Sequence, residues 1–204
     1  MLRERAVNLT LSFDTTHALG TAVALVNSLD PTTGEERLET PSTLRHFLRQ
    51  HDFSAVGTLR AEDVEAVRAL RDRVRTVFES SELAAAVALV NTLVAEASAL
   101  PQLVDHDGEP WHLHYTPHGA ALVDRLAAES GMALAILIRD EGLERLRICE
   151  APNCANALVD LSRNRSRRYC DVQACGNRVH VAAYRARRRA IASSDGLTRH
   201  ASPR

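Results

Sequence analysis

Four cysteines, Cys149, Cys154, Cys170 and Cys175, are the only ones in the chain. They fall as C-x4-C-x15-C-x4-C near its C-terminal end. Two close pairs separated by a short loop are what a tetrahedral thiolate zinc site requires. A segment this small cannot bury a core of its own, so a bound metal would contribute directly to its folding. Four thiolates leave no open coordination position, so the expected Zn2+ is structural rather than catalytic. His180 is a possible substitute ligand. A disulfide or redox pair is the alternative reading, and the expected reducing setting disfavours it.

Charge is distributed as unevenly as sulfur. Residues 1–160 carry fourteen arginines and twenty-four acids, a net of −10, and residues 161–204 carry eleven arginines and two acids, a net of +9. The overall charge of −1 hides this bipolarity, which hints at a nucleic-acid-binding end. The chain has no lysine, so the total arginine excess says little and its placement says more. Ala, Val and Leu dominate the apolar content and aromatics make up 4%, which favours packed helices over a sandwich. The N-terminus mixes Arg3, Glu4 and Arg5 before any apolar stretch, so no signal peptide is expected. The apolar stretches Ala84–Val90 and Met132–Ile138 are too short to span a bilayer. A cytoplasmic protein with no membrane partner is expected.

The pattern predicts a mainly α fold: a helical N-terminal domain with a small β-hairpin over 1–139, a small four-cysteine zinc-finger module ending in a basic helix over 140–190, and a disordered tail over 191–204. A helical segment from about Thr15 to Leu29 stops at Asp30-Pro31-Thr32-Thr33-Gly34. Thr40-Pro41 reads as an N-cap with proline in the first turn, opening a helix to about His51. Thr58 is expected to cap the next helix, in which Val64, Val67, Leu70, Val74 and Val77 recur at helical spacing. Another helix is expected from Glu82 to Leu100. Trp111-His112-Leu113-His114-Tyr115 alternates as a strand does, with Gln102-Leu103-Val104 as its partner and Asp107-Gly108 in the turn. A long helix is expected from His118 to Arg139, and an interdomain joint near Asp140-Glu141-Gly142.

Past the second cysteine pair, Arg178 to Ala190 is rich in helix formers and in arginine. Arg178, Arg185, Arg188 and Arg189 are expected largely on one side of that helix, and Arg163, Arg165, Arg167 and Arg168 on a neighbouring loop. Asn164 and Ser166 suit phosphate or sugar contacts, and arginine forks onto phosphate or guanine. Gly176 is expected at positive φ, turning backbone N–H groups toward thiolate sulfur.

Cys149-x4-Cys154, the run Asp160-x-Ser162-Arg163-Asn164-Arg165-Ser166-Arg167-Arg168-Tyr169-Cys170 and Cys175-Gly176-Asn177-Arg178 together resemble the CGNR zinc finger, over Arg145 to Arg189. That finger usually follows an ABATE domain, a mostly helical module with a small β element. Leu25-Val26-Asn27-Ser28 is similar to its early Asn-Thr signature, with Ser for Thr. The resemblance implies a stress-associated transcription regulator. Tyr169 stands where the family pattern has Trp, Leu158 where it has Phe, and His180 where Lys is common. The first two are packing changes, and the third lowers the permanent charge.

The function expected is a DNA-binding transcription regulator that is not an enzyme. Its expected partners are duplex DNA, a second copy of the chain and a small-molecule effector at the N-terminal domain. A zinc-stabilised module whose basic surface meets an acidic protein is the alternative, as is RNA binding, for which few exposed aromatics are available to stack bases. Arginines that only shield the thiolates or contact the acidic domain are the bland reading. His112 and His114 share one strand face and could hold a second metal, though exposed strand histidines usually do not. Asn27 and Asn91 lie in apolar helices and are expected to be satisfied buried amides, with a ligand pocket as the sharper alternative. No nucleophile–base pair, phosphate-cradling glycine loop or HExxH motif points to catalysis.

Overall fold

The computed structural model describes residues 11–53, 56–105, 111–117, 119–172 and 174–198, with the backbone alone for 190–198. The described residues form six α-helices and two short antiparallel hairpins: α1 (Phe13–Val26), α2 (Pro41–Gln50), α3 (Ala61–Glu79), α4 (Leu83–Glu96), β1 (Gln102–Val104), β2 (His112–His114), α5 (Leu122–Glu141), β3 (Leu146–Ile148), β4 (Ala157–Val159) and α6 (Cys175–Thr198). The protein is mainly α, with a small cysteine module before its last helix.

α5 is the central post, packed against α1, α3 and α4. It buries Leu126, Leu134 and Leu137 completely, and small residues such as Ala128 and Gly131 let its neighbours approach closely. α3 presents Val64, Val67, Leu70, Val74 and Val77 to the same core, the face its spacing predicts. Thr40 caps α2 as expected, with a reciprocal bond to Thr43 closing a capping box. Thr58 does not cap α3. The helix begins at Ala61, and Asp63 Oδ2 accepts from Arg60 N at 2.7 Å, so the acid in the first turn replaces a hydroxyl cap. The hairpin pairs Gln102 with His114 and Val104 with His112. Its expected turn at Asp107-Gly108 lies outside the described residues.

Where a joint was expected, the chain turns at Gly142, whose φ of 93° is open to glycine alone. The turn is packed rather than slack. Arg145 Nη2 donates to Glu141 Oε2 at 2.7 Å, and both side chains are buried. β3 and β4 then lie on the helical core, to which Leu146, Ala157 and Val159 contribute. Asn27, at the end of α1, fixes this hairpin in place. Its Nδ2 donates to Ala157 O at 2.9 Å, and its Oδ1 accepts from Ala157 N at 2.7 Å. The side-chain amide thus serves as a strand edge for β4. Asn27 is the satisfied buried amide expected, whereas Asn91 is exposed on α4.

The backbone of 191–198 continues α6, where the sequence suggested a disordered tail, and 199–204 lie outside the described residues. Ala190, Ile191 and Ala192 carry no helix-breaking feature, and the first glycine after them is Gly196, so the helix has no reason to stop at 190. Among the described residues, no helix is long and apolar enough to cross a membrane.

Candidate metal centre

The first cysteine pair occupies the loop of the β3–β4 hairpin. Cys149 N donates to Asn156 O at 2.8 Å, extending the ladder by one bond, and Cys154 N donates to Ala151 O at 3.2 Å to close a turn. The second pair spans a turn closed by Ala174 N on Asp171 O at 3.1 Å, and Cys175 is the first residue of α6. In both pairs the residue before the second cysteine is left-handed, Asn153 at φ 59° and Ala174 at φ 48°. The positive φ expected at Gly176 is therefore found two residues earlier. Gly176 lies inside α6, where a Cβ would meet Tyr169 Cδ2 at 3.5 Å, an ordinary contact.

Asn tolerates the left-handed conformation and Ala does not. Replacing Ala174 with Gly should therefore stabilise the zinc-loaded protein by about 1 kcal/mol, read as a raised midpoint in urea. A lowered midpoint would mean that the Ala174 methyl contributes packing that outweighs its backbone cost.

The four Sγ atoms lie within 4.8 Å of one another. Cys154 and Cys170 sulfurs are 3.7 Å apart, and Cys170 and Cys175 sulfurs 3.6 Å. Zinc–sulfur bonds of about 2.3 Å at the tetrahedral angle imply sulfurs about 3.8 Å apart. These separations are far beyond a disulfide bond and close to that spacing. Donors are aimed at the sulfurs: Cys170 N on Cys149 Sγ at 3.3 Å, Asn156 Nδ2 on Cys170 Sγ at 3.5 Å and Arg178 Nη2 on Cys175 Sγ at 3.4 Å. Burial pushes the Cys154 and Cys175 thiols up, so four thiolates need a cation among them to be stable together. The donor set therefore fits zinc in number, spacing and second-layer hydrogen bonds. When bound, the metal would supply cross-linking and charge neutralisation rather than chemistry.

Leu158 and Tyr169 both pack in the small apolar cluster around the sulfurs, as substitutions for larger aromatics can. His180 is exposed and sets its ring edge-on to Tyr169, with centroids 6.3 Å apart, which is a packing role. His112 and His114 approach through their Nε2 atoms at 3.1 Å. Among the described residues, the four cysteines are the only group of three or more ligands that converges.

The loop after β4 is organised by Asp160, which is fully buried. It accepts from Ser162 N at 2.9 Å, from Ser162 Oγ and from Arg167 N at 2.9 Å. Burial acts to raise its carboxyl, but these bonds and the charge of Arg147 hold it below the usual carboxylate range. Arg145 Nη1 grips the loop from beneath, donating to Asp160 O at 2.9 Å and Ser162 O at 2.6 Å. Sequence reasoning missed Asp160 and Arg145 as organisers of the arginine loop.

The eight arginines expected at a nucleic-acid surface divide into two groups. Arg165 is paired with Glu144, Arg167 with Asp171 and Arg168 with Glu150, and Arg178 reaches the Cys175 sulfur. Arg163, Arg185 and Arg188 are exposed, as is Arg189, which has a partner of its own; Arg165, Arg168 and Arg178 are exposed as well despite their contacts. Residues 181–189 of α6 are exposed throughout, so this helix stands away from the rest of the fold. At about 100° per residue, Arg178, Arg185 and Arg189 fall within about 40° of one another around its axis. Arg188 lies about 60° further round and Arg187 on the opposite side.

Comparison with known proteins agrees with this geometry. The profile of the ABATE family, described as "Putative stress-induced transcription regulator", matches residues 20–165. That of the CGNR zinc finger matches residues 145–188. The two overlap on 145–165, the stretch holding the hairpin that the helical core and the cysteine module share. No curated protein matches the sequence. With its Asn27-clamped helical core and its four converged cysteines, the chain belongs to the ABATE family and carries a CGNR zinc finger as its zinc-binding site.

Proposed function

We propose that the protein is a cytoplasmic, non-catalytic regulator that binds duplex DNA through α6 and the neighbouring arginine loop, acting as a homodimer. The observation that carries this reading is the protruding helix. From Cys175 to Arg189 it holds five arginines and no acid, on a segment exposed throughout from 181. A 24-residue helix extends about 36 Å, long enough to lie in a major groove. The metal fixes its first turn against the loop that bears Arg163, so two cationic elements keep one relative orientation. Two copies would supply the two half-sites that a single finger lacks.

Ion pairing refines which arginines meet phosphate. Arg185, Arg188 and Arg163 can dock without breaking an internal pair, whereas Arg165 and Arg168 must first leave Glu144 and Glu150. A salt titration of duplex binding tests this. Each arginine withdrawn from a phosphate should lower the log–log salt slope by about 0.9, so the double change Arg185→Ala and Arg188→Ala should lower it by about 2. Arg168→Ala should change it by less. Absence of measurable duplex binding at about 50 mM salt by the zinc-loaded protein would defeat the proposal.

The second reading, an acidic protein partner, has one observation in its favour. Three arginines of this surface already hold carboxylates within the chain. An acidic peptide that bound more tightly than duplex DNA at equal salt would select that reading.

A further inference from the structure

A cleft of about 1100 Å3 opens among α1, the end of α2, β2 and α5, and none of the cysteines lines it. Its lining is unusual for this chain. The sequence has eight Phe, Trp and Tyr residues. Four of them, Phe13, Phe53, Trp111 and Tyr115, line this one cleft. Phe13 and Trp111 are not core residues that happen to reach it, being 81% and 65% exposed. Phe47, Phe53 and Phe78 are buried in a core otherwise built mainly from Ala, Val and Leu, whereas the large aromatics Phe13 and Trp111, left at the rim, are surface that folding did not require.

Glu129, on α5, lines the same cleft and forms no hydrogen bond or ion pair among the described residues. A carboxyl so placed has lost much of its water, and Arg125 and His17 act on it only through charge at a distance, without a hydrogen bond or close ion pair. Burial pushes it up to about 7, against the opposing pull of Arg125 and His17. Tyr115 is also pushed up, by burial first and then by the negative charges of Asp14 and Glu129. The acids facing the cleft are Asp14 on α1, Asp52 after α2 and Glu129, and the arginines are Arg49 and Arg125. His17, His51, His112 and His114 complete its titratable wall. His51 is held below its ordinary value by burial, next by His17, with Asp52 opposing. The cleft already shows how it treats a cation, because the Arg125 guanidinium lies over the Phe53 ring, 5.4 Å from its centroid.

We propose that this cleft binds a small organic ammonium ion bearing an aromatic or alkyl body, with the charged nitrogen on Glu129 and the body among Trp111, Phe13 and Tyr115. Aromatic faces attract a desolvated cation, and a carboxylate at the base fixes its position. The cation supplies the close ion pair that Glu129 lacks among the described residues, beyond the more distant pull of Arg125 and His17. Glu129 is then ionised in the complex, so binding of a permanently charged ligand near pH 6.5 releases part of a proton from the protein. The volume is that of a site for a molecule of drug size rather than for a metal ion. The proposal does not rest on the DNA-binding reading, and it can fail or hold without it.

Calorimetry on the full-length, zinc-loaded protein tests this with benzyltrimethylammonium, which has no proton of its own, and with benzyl alcohol and benzoate as neutral and anionic comparators. The expected result is saturable binding of the cation, at least about tenfold tighter than either comparator. Heats measured near pH 6.5 in buffers of different ionisation enthalpy should show proton release. Glu129→Gln should weaken the cation at least about tenfold and abolish the proton release, with zinc content and melting temperature retained. Trp111→Ala, at an exposed position that folding does not need, should weaken it as well. The proposal is overturned if benzoate is preferred, if Glu129→Gln binds the cation as the parent does, or if no saturation is reached by about 10 mM.

Discussion

Stripping zinc from the protein should melt its two cysteine turns and the first turns of α6 and leave its helical core standing. Structural zinc contributes about 10–16 kcal/mol of apparent binding free energy in small finger peptides at neutral pH. The two cysteine turns and the start of α6 have little else to hold them, since their own apolar cluster is Leu158, Ala151, Tyr169, Val179 and the cysteines themselves. The helices draw on a larger cluster, from Leu19 to Val159, in which Leu146, Ala157 and Val159 of the β3–β4 hairpin take part. Hydrogen exchange after chelation should therefore show lost protection at the turn amides of Cys154 and Ala174 and through the first turns of α6. Amides of α1, α3 and α5 should stay protected. Cys170→Ser should reproduce the pattern without chelator and lower the zinc content from one per chain. Unchanged protection at Cys154 and Ala174 in the metal-free protein would mean that packing alone shapes the finger.

The second large effect is expected at Glu141. Its partner Arg145 is 4% exposed, donates to the carbonyls of Asp160 and Ser162, and has an Nε with no partner. Removing the carboxylate by Glu141→Ala leaves a buried guanidinium with no counter-charge, a change that typically costs about 3–5 kcal/mol. Against a total stability of about 5–15 kcal/mol, that is a large fraction. Glu141→Gln keeps an acceptor and should cost less. Urea unfolding of the zinc-loaded variants checks both, and a loss below about 1 kcal/mol for Glu141→Ala would show that water takes over the guanidinium. The loop that bears Arg163 and Arg165 should loosen as well, because Arg145 holds both of its entry carbonyls.

The sequence is most informative where a physical rule acts over a few residues. The cysteine spacing, the Thr40-Pro41 start, the period of α3 and the alternation around His112 each specify a local shape, and each shape is present. It is least informative where a polar group finds a partner far along the chain. Asn27 meets Ala157 across 130 residues, and Arg71 forks onto Glu36 across 35. Apolar periodicity shows which face goes inward but not what closes a hydrogen bond there. A signal for Arg71 existed, since it stands four residues after Val67 and three before Val74, on the buried face of α3. The arginine loop illustrates the same limit. Glu144 and Glu150 lie 21 and 18 residues before the arginines they pair with, so only the β3–β4 fold reveals that part of the +9 is neutralised at home. The Gly176 expectation failed for a different reason. The Cys-Gly boundary is also a helix start, and the helix takes up the glycine while Ala174 bears the left-handed turn.

The two-point grip of Asn27 on Ala157 makes the finger a poor cartridge for transplantation. Cutting at the boundary that the finger profile suggests, residue 145, would strip Leu146, Ala157 and Val159 of the greasy floor they rest on and sever one backbone pair from its only mate. A graft of this finger onto a foreign host would need to carry the final turn of the first helix with it, or an amide standing in the same spot.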